Sequence, residues 1–255
     1  MSVIIPSFQG RFGNACLQYL FCRALAEKHR LELRTEPWIG ERVFQIEHPR
    51  PESRERPRFG EIELTRPRTS FEFLRDISTN NPEFEFRGYA QMANCMLYTK
   101  RQAQSWLKIR EEWMPALNRM LAHHPDTIIG HRRVGDYIGY GYPVVSEASY
   151  RGACREFGLN EQSLRILSEE NPAPPIGLPD DLAFLPDFYR MMTAPTLLRA
   201  NSSFSWLAAL LGNGLVLAPV IEGLEGGKEH DCRFVAGNWP RFANLDFVQD
   251  LHVAP

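Results

Sequence analysis

None of the five cysteines (Cys16, Cys22, Cys95, Cys154 and Cys232) stands in a C-x-x-C pair, and their number is odd. That argues against a disulfide framework or a cysteine-held zinc, and for reduced thiols in a cytosol. No apolar run reaches the ~20 residues a membrane span needs. The longest, residues 206–220, is interrupted by Gly212-Asn213-Gly214. The first residues lack a basic stretch followed by an apolar one, so no secretory leader is expected. Charge of one sign is also lacking: 29 Lys and Arg face 31 Asp and Glu, for a net charge of -2. Nothing therefore draws the whole molecule to nucleic acid, and any anion it binds must be held by a local cluster. H-E-x-x-H and comparable metal-ligand spacings are absent. His123-His124-Pro125-Asp126 reads as a surface turn between a helix and a strand rather than a ligand set. No internal repeat is visible. The expectation is a cytoplasmic protein with no metal or other cofactor, no nucleic-acid partner and no transmembrane segment. Peripheral membrane contact is left open.

What is there is an ordinary globular composition: 255 residues, 44% hydrophobic and 24% charged. Such a chain can bury a core without disulfides or metals, as one large α/β unit or two smaller ones sharing a cleft. Val3-Ile4-Ile5 predicts a short buried strand, followed by the Gly-punctuated turn Gly10-Arg11-Phe12-Gly13-Asn14. Asn14 reads as a helix N-cap. Leu17, Leu20, Phe21, Ala24 and Leu25 then fall on one helical face. Strand, glycine turn and helix resemble the first unit of a Rossmann-like domain, although G-x-x-G alone says little about a nucleotide. Residues 47–69, rich in Pro, Arg and Glu, read as an irregular solvated loop. Phe86-Arg87-Gly88-Tyr89 closes a strand. Residues 99–122 predict one helix, with Trp106, Leu107, Ile109, Trp113, Leu117 and Leu121 mostly buried.

The second half alternates more regularly. Strands are expected at 127–129, 164–167, 196–200 and 215–218. Helices are expected at 146–157, near 184–192 and from Phe204 to Leu211. Strands alternating with helices imply a mostly parallel sheet. Three of these strands end in polar residues: His131-Arg132-Arg133, Ser168-Glu169-Glu170 and Asn201-Ser202-Ser203. In open parallel sheets, ligands bind beyond the carboxyl ends of the strands. Arginine grips phosphate oxygens through paired charge-assisted hydrogen bonds, a helix start adds free N–H groups, and carboxylates can accept from a base or ribose. Singly, each segment is commoner as surface decoration, a solvated strand exit or a simple cap. Together, at consecutive strand ends, they read as an anion or nucleotide pocket.

Four segments also match a known pattern in order. Gly10-Arg11-Phe12-Gly13-Asn14, with Gln18 and Tyr19, is similar to G-x-L-G-N-Q-x-F-Q-Y. Gly88-Tyr89-Ala90-Gln91 is similar to G-Y-F-Q, and residues 131–137 to H-x-R-R-G-D-Y. Asn201-Ser202-Ser203-Phe204-Ser205-Trp206 is similar to the end of S-N-S-S-F-S-W, and Ser168-Glu169-Glu170 stands where the pattern has S-D-D. The chain thus resembles the bacterial α-1,2-fucosyltransferases, relatives of the α-1,6- and protein O-fucosyltransferases.

The resemblance implies an α/β, GT-B-like fold: two Rossmann-like halves with a cleft between them. It implies an acceptor-side domain over 1–124 and a donor-binding domain over 125–255, whose final helix packs back on the first half. It also implies transfer of fucose from GDP-fucose to a glycan hydroxyl, α-1,2 on galactose, with inversion and without metal. GDP-fucose and a glycan acceptor are the partners implied. Arg133 takes the place of the arginine on the donor β-phosphate, with His131 and Arg132 beside it. Ser202, Ser203 and Ser205, with Asn201, hold phosphate or fucose. Ser168, Glu169 and Glu170 line the guanosine side. Gly10, Phe12, Gly13 and Asn14 shape the opposite cleft wall. Asp136 and Glu147 are candidates for the general base. The departure is Val134, which stands where the pattern has its second arginine. Two alternatives follow: a diverged protein that binds a nucleotide sugar without turnover, or an enzyme of this fold using another nucleotide sugar.

Overall fold

The computed structural model describes residues 2–52, 56–60, 83–91, 95–123, 127–221 and 223–237. The chain divides into two compact units between Lys108 and Ile109.

In the first unit, β1 (Val3–Pro6) leads to α1 (Phe12–His29), β2 (Glu32–Leu33), the short α2 (Ile39–Val43), β3 (Arg58–Gly60) and β4 (Glu83–Arg87). The sheet has the order β2-β1-β4-β3, and every pairing is parallel. Val3 to Pro6 are all buried, as suits a strand covered on both faces. Leu17, Leu20, Phe21, Ala24 and Leu25 are buried as the periodicity predicted. So are Gln18, Tyr19 and Cys22 between them, making α1 a core helix closed almost all round rather than a surface helix with one apolar face. The buried Gln18 amide is satisfied by the loop before the helix. Its Oε1 accepts from the Gln9 N–H and its Nε2 donates to the Gln9 carbonyl, each at 2.9 Å. The helix begins earlier than expected: Arg11 is the N-cap and Asn14 lies inside the first turn.

Two further expectations are corrected in this half. The Pro- and Arg-rich stretch is not all loop, because Arg58–Gly60 adds an edge strand parallel to β4. Residues 53–55 and 61–69 of that stretch lie outside the described residues. The helix expected over 99–122 is two helices, α3 (Lys100–Trp106) and α4 (Met114–His123). The Lys108 carbonyl accepts from the Gln45 N–H at 2.8 Å, tying the exit of α3 to the first unit. Helix α4 is held to the second unit, where the Tyr189 hydroxyl donates to Asn118 Oδ1 at 2.9 Å. The division therefore falls at this break and not at 124/125. Leu107 and Leu117 are buried, whereas Trp106, Ile109, Trp113 and Leu121 are half-buried.

The second unit continues with β5 (Ile128–His131), α5 (Gly135–Gly139), β6 (Val144–Val145), α6 (Glu147–Glu156), β7 (Leu164–Leu167), α7 (Leu185–Thr193) and β8 (Thr196–Leu198). It closes with α8 (Ser203–Leu211), β9 (Leu215–Pro219), β10 (Glu229–His230) and β11 (Phe234–Ala236). The main sheet runs β11-β9-β8-β5-β7, parallel except for β11. From β5 the chain goes first to β7 on one side, then returns to β8 and β9 on the other. The strand order therefore reverses between β5 and β8. The two sheet faces are covered by different helices. Ile128, Leu198 and Leu217 pack with Tyr150, Ala153 and Cys154 of α6. His131, odd where Ile128 is even, turns the other way and meets Phe204 of α8, ring centroids 5.6 Å apart. Phe188 of α7 reaches the same ring at 5.5 Å. Residues 238–255, where the returning helix was expected, lie outside the described residues.

Candidate functional site

The carboxyl ends of β5 and β8 flank the point where strand order reverses, the usual ligand position of a doubly wound sheet. At the end of β5 two neighbouring arginines part. The Arg132 N–H still donates to the Leu167 carbonyl at 2.8 Å, prolonging the ladder. Its guanidinium pairs with Glu229 of β10 at 2.6 Å. Arg133 turns the opposite way. Its Nη2 donates to Asp136 Oδ1 at 2.6 Å and its Nη1 pairs with Glu169 Oε1. The guanidinium carbon also lies 5.6 Å from the centre of the Tyr137 ring, within cation–π range. Gly135 permits this packing: a Cβ there would stand 2.8 Å from Glu169 Oε2.

Tyr137 links that cluster to the end of β8, where its hydroxyl interacts electrostatically with the Ser202 side chain. Ser202 is the N-cap of α8, its hydroxyl oxygen accepting from the Phe204 N–H at 3.3 Å. Asn201 is buried and its Oδ1 has no partner among the described residues. Ser203, half-buried, opens the helix. Ser205 points back into the turn instead, accepting from the Ala200 N–H at 3.2 Å and bonding the Ala200 and Ser202 carbonyls. It shapes the turn and presents nothing to a ligand.

Burial sets the protonation of this place. His131 is pushed down to about 3 by burial, and further by the charge of Arg133, so its ring is neutral at physiological pH. Its Nδ1 has no partner among the described residues. Tyr137 is pushed up to about 12 by burial, with Ser202 and Arg133 pulling against it. Burial also pushes Tyr150 well up, and its hydroxyl donates to the His131 carbonyl at 2.5 Å, fixing the end of β5 from the α6 side.

The expected residues thus separate. Arg133, Asp136, Glu169 and Ser202 form one chain of contacts through Tyr137, with His131, Asn201 and Ser203 at the same strand ends. Ser168 accepts from the Asn171 N–H at 3.2 Å and closes a turn. Glu170 is exposed on that turn. Glu147 is exposed on the first turn of α6, paired with Arg151 at 2.7 Å. Two residues were missed from sequence. Tyr137 lay inside a matched motif without a role. Arg199, fully buried beyond β8, was taken as an ordinary strand position, although an arginine inside Thr196-Leu197-Leu198-Arg199-Ala200 is itself a signal.

In the first unit the two opening motifs meet. Gln91 Nε2 donates to Asn14 Oδ1 at 2.7 Å, and Ala90 beside it has φ 53°. Gly10, at φ 76°, lies so close under Asn14 that a Cβ there would overlap its side chain. Phe12 stacks on Phe44 at 5.8 Å, and Gly13 is buried beside it.

Solved structures share this architecture. NodZ α-1,6-fucosyltransferase co-crystallised with GDP aligns with a TM-score of 0.52 at 15% identity, covering 85% of this chain and 94% of that one. NodZ from Bradyrhizobium aligns at 0.51 and 15%, covering 85% and 95%. POFUT1 in complex with GDP-fucose aligns at 0.51 and 12%, covering 84% and 95%. The fold is GT-B-like. At these identities the likeness is one of fold. No family model and no curated protein sequence matches the chain. Among the described residues, no helix is long and apolar enough to cross a membrane, and no three His, Cys, Asp or Glu side chains gather as metal ligands. His124, Pro125 and Asp126 lie outside the described residues.

Proposed function

We propose that the protein is an inverting glycosyltransferase that moves L-fucose from GDP-fucose to a glycan hydroxyl without a metal. One observation carries this reading. At the strand-order reversal of the second unit, Arg133, Tyr137 and Ser202 form a continuous set of contacts that joins a guanidinium to the N-terminus of α8. Such a set suits a diphosphate, and the neighbours of the same fold are a fucosyltransferase crystallised with GDP and POFUT1 in complex with GDP-fucose.

In the proposed reaction the acceptor oxygen bonds to the fucose anomeric carbon as the bond from that carbon to the β-phosphate oxygen breaks. GDP leaves on the opposite face. Charge grows on the departing phosphate, where Arg133 and the N–H groups of α8 stabilise it more in the transition state than in the ground state. Asp136 holds the Arg133 guanidinium in register. The acceptor proton passes to a carboxylate, for which Asp136 stands within the cluster and Glu147 outside it. The 109–237 half takes the donor role and the 2–108 half the acceptor role. The α-1,2 linkage to galactose rests on motif resemblance, whereas the structural neighbours are an α-1,6-fucosyltransferase and POFUT1. A panel of galactose-terminated glycans, core-type glycans and peptides sorts these.

The test is Arg133→Ala, assayed for GDP release from GDP-fucose with that panel. The rate should fall about 10²–10³-fold, as when one donor to a developing oxyanion is lost. A near wild-type rate would overturn the mechanism. A second reading, nucleotide-sugar binding without turnover, is favoured by Val134 and by the engagement of Arg132 with Glu229. GDP binding with no turnover on any acceptor would select it.

A further inference from the structure

Arg199 follows β8 and is 0% exposed. Its backbone is fixed in the sheet, the N–H donating to the Leu217 carbonyl at 3.0 Å. Its guanidinium is not: Nε, Nη1 and Nη2 all lack a hydrogen-bond partner among the described residues. The groups that act on it electrostatically are the hydroxyls of Tyr137 and Tyr150. Both tyrosines are held neutral by burial, and their hydroxyls are engaged with Ser202 and the His131 carbonyl. They are dipoles and cannot neutralise a cation. Burial pulls Arg199 down to about 9, which leaves it charged at pH 7. A buried guanidinium without a counter-charge is costly, and buried charges are ordinarily paired.

The surroundings say which anion. Arg199 stands two residues before Ser202, the cap of α8, whose first N–H groups are an anion site in their own right. Tyr137, which interacts electrostatically with Arg199, also has the Arg133 guanidinium over its ring. Two cations, a helix start and hydroxyl groups at the strand-order reversal are more than a single phosphate requires, and they suit two linked phosphates. The arginine expected at Val134 is missing, and Arg132 is paired with Glu229. We infer that Arg199 is the second cationic ligand of the donor diphosphate, supplying from the end of β8 the charge that Val134 does not supply after β5. The inference rests on the proposed donor role of this half, and it concerns a residue that the motif comparison does not select.

Arg199→Met keeps the volume and removes the charge; Arg199→Lys keeps the charge and removes the fork. The full chain of each is compared with wild type for unfolding midpoint without additive, and by calorimetry with GDP, GMP and inorganic pyrophosphate. The expected result is an Arg199→Met midpoint at or above wild type, because an uncompensated buried charge has gone. GDP and pyrophosphate should bind about 10- to 100-fold more weakly, from the loss of charge-assisted bonds, with a smaller change for GMP. Arg199→Lys should fall between. Wild-type GDP affinity in Arg199→Met overturns the inference. So does a lowered midpoint or failure to fold, which would make Arg199 a structural residue. Pyrophosphate binding that depends on Arg199, with no preference for GDP over UDP, overturns the GDP-fucose reading and leaves the diphosphate ligand standing. Absence of binding to every probe by wild type overturns both.

Discussion

His131 turns its ring toward Phe204, and Arg133 is among the charges that reach it. Both burial and that charge resist protonation, so the folded-state value near 3 lies well below the ordinary one of 6.5. The sign follows: below about pH 6.5 the unfolded chain takes up a proton that the folded protein refuses. The stability His131 contributes is present above that pH and is lost as pH falls toward 3, at up to about 1.4 kcal/mol per pH unit. Asp187 acts in the other direction, because burial pushes it up to about 6, so its contribution is lost as pH rises from about 4 to 6. Urea unfolding of wild type and His131→Gln between pH 7.5 and 5 should separate the two. The variant should lose less stability on acidification, and the wild-type ring should show no titration by NMR between pH 5 and 8. At this scale Arg133 and Ser202 could be picked out only together, because a charged or capping residue at one strand end is commonly decoration and it is their recurrence at consecutive strand ends that marks them. Arg199 was hidden by its own neighbours. Set in an apolar strand, it reads as an ordinary strand position, and only the folded structure shows it fully buried.

The elements that frame the site are joined by tight passages. Between α8 and β9, Gly212 approaches the Met192 carbonyl and Gly214 the Ala194 carbonyl so closely that a Cβ on either would strike rigid backbone. Gly214→Ala should therefore lower stability by about 1–3 kcal/mol, as overpacking does. Gly152→Ala, in the middle of α6 with no heavy atom within 4 Å of the added Cβ, should raise it by about 0.4–1 kcal/mol. Thermal unfolding of the pair checks both signs. Elements with a clear period were legible: α6, α7, α8 and β7 lie where alternation and helical spacing put them. The helix expected over 99–122 was not one helix, because its apolar spacing runs on past Trp106 while the chain extends to reach Gln45. The five-residue α5 and the two-residue pairing of β6 with β10 are too short for any period to announce them.

Across the molecule, every group assigned to the donor falls after Lys108, in the second of the two units. GDP should therefore slow hydrogen exchange most at residues 131–137 and 199–205, with strands β1 and β4 far less affected. At a hundredfold excess over its Kd, GDP should add about 2.7 kcal/mol of stability, and EDTA should leave that gain unchanged. Exchange changes concentrated in the first unit would move the donor site there. That unit has its own economy of contacts in the bond from Gln91 to Asn14, which joins segments far apart in the chain. Each amide answers the other, so a change at either position should be compensated at its partner. A replacement at one strands the polar group at the other, and descendants that keep the join must alter the two together.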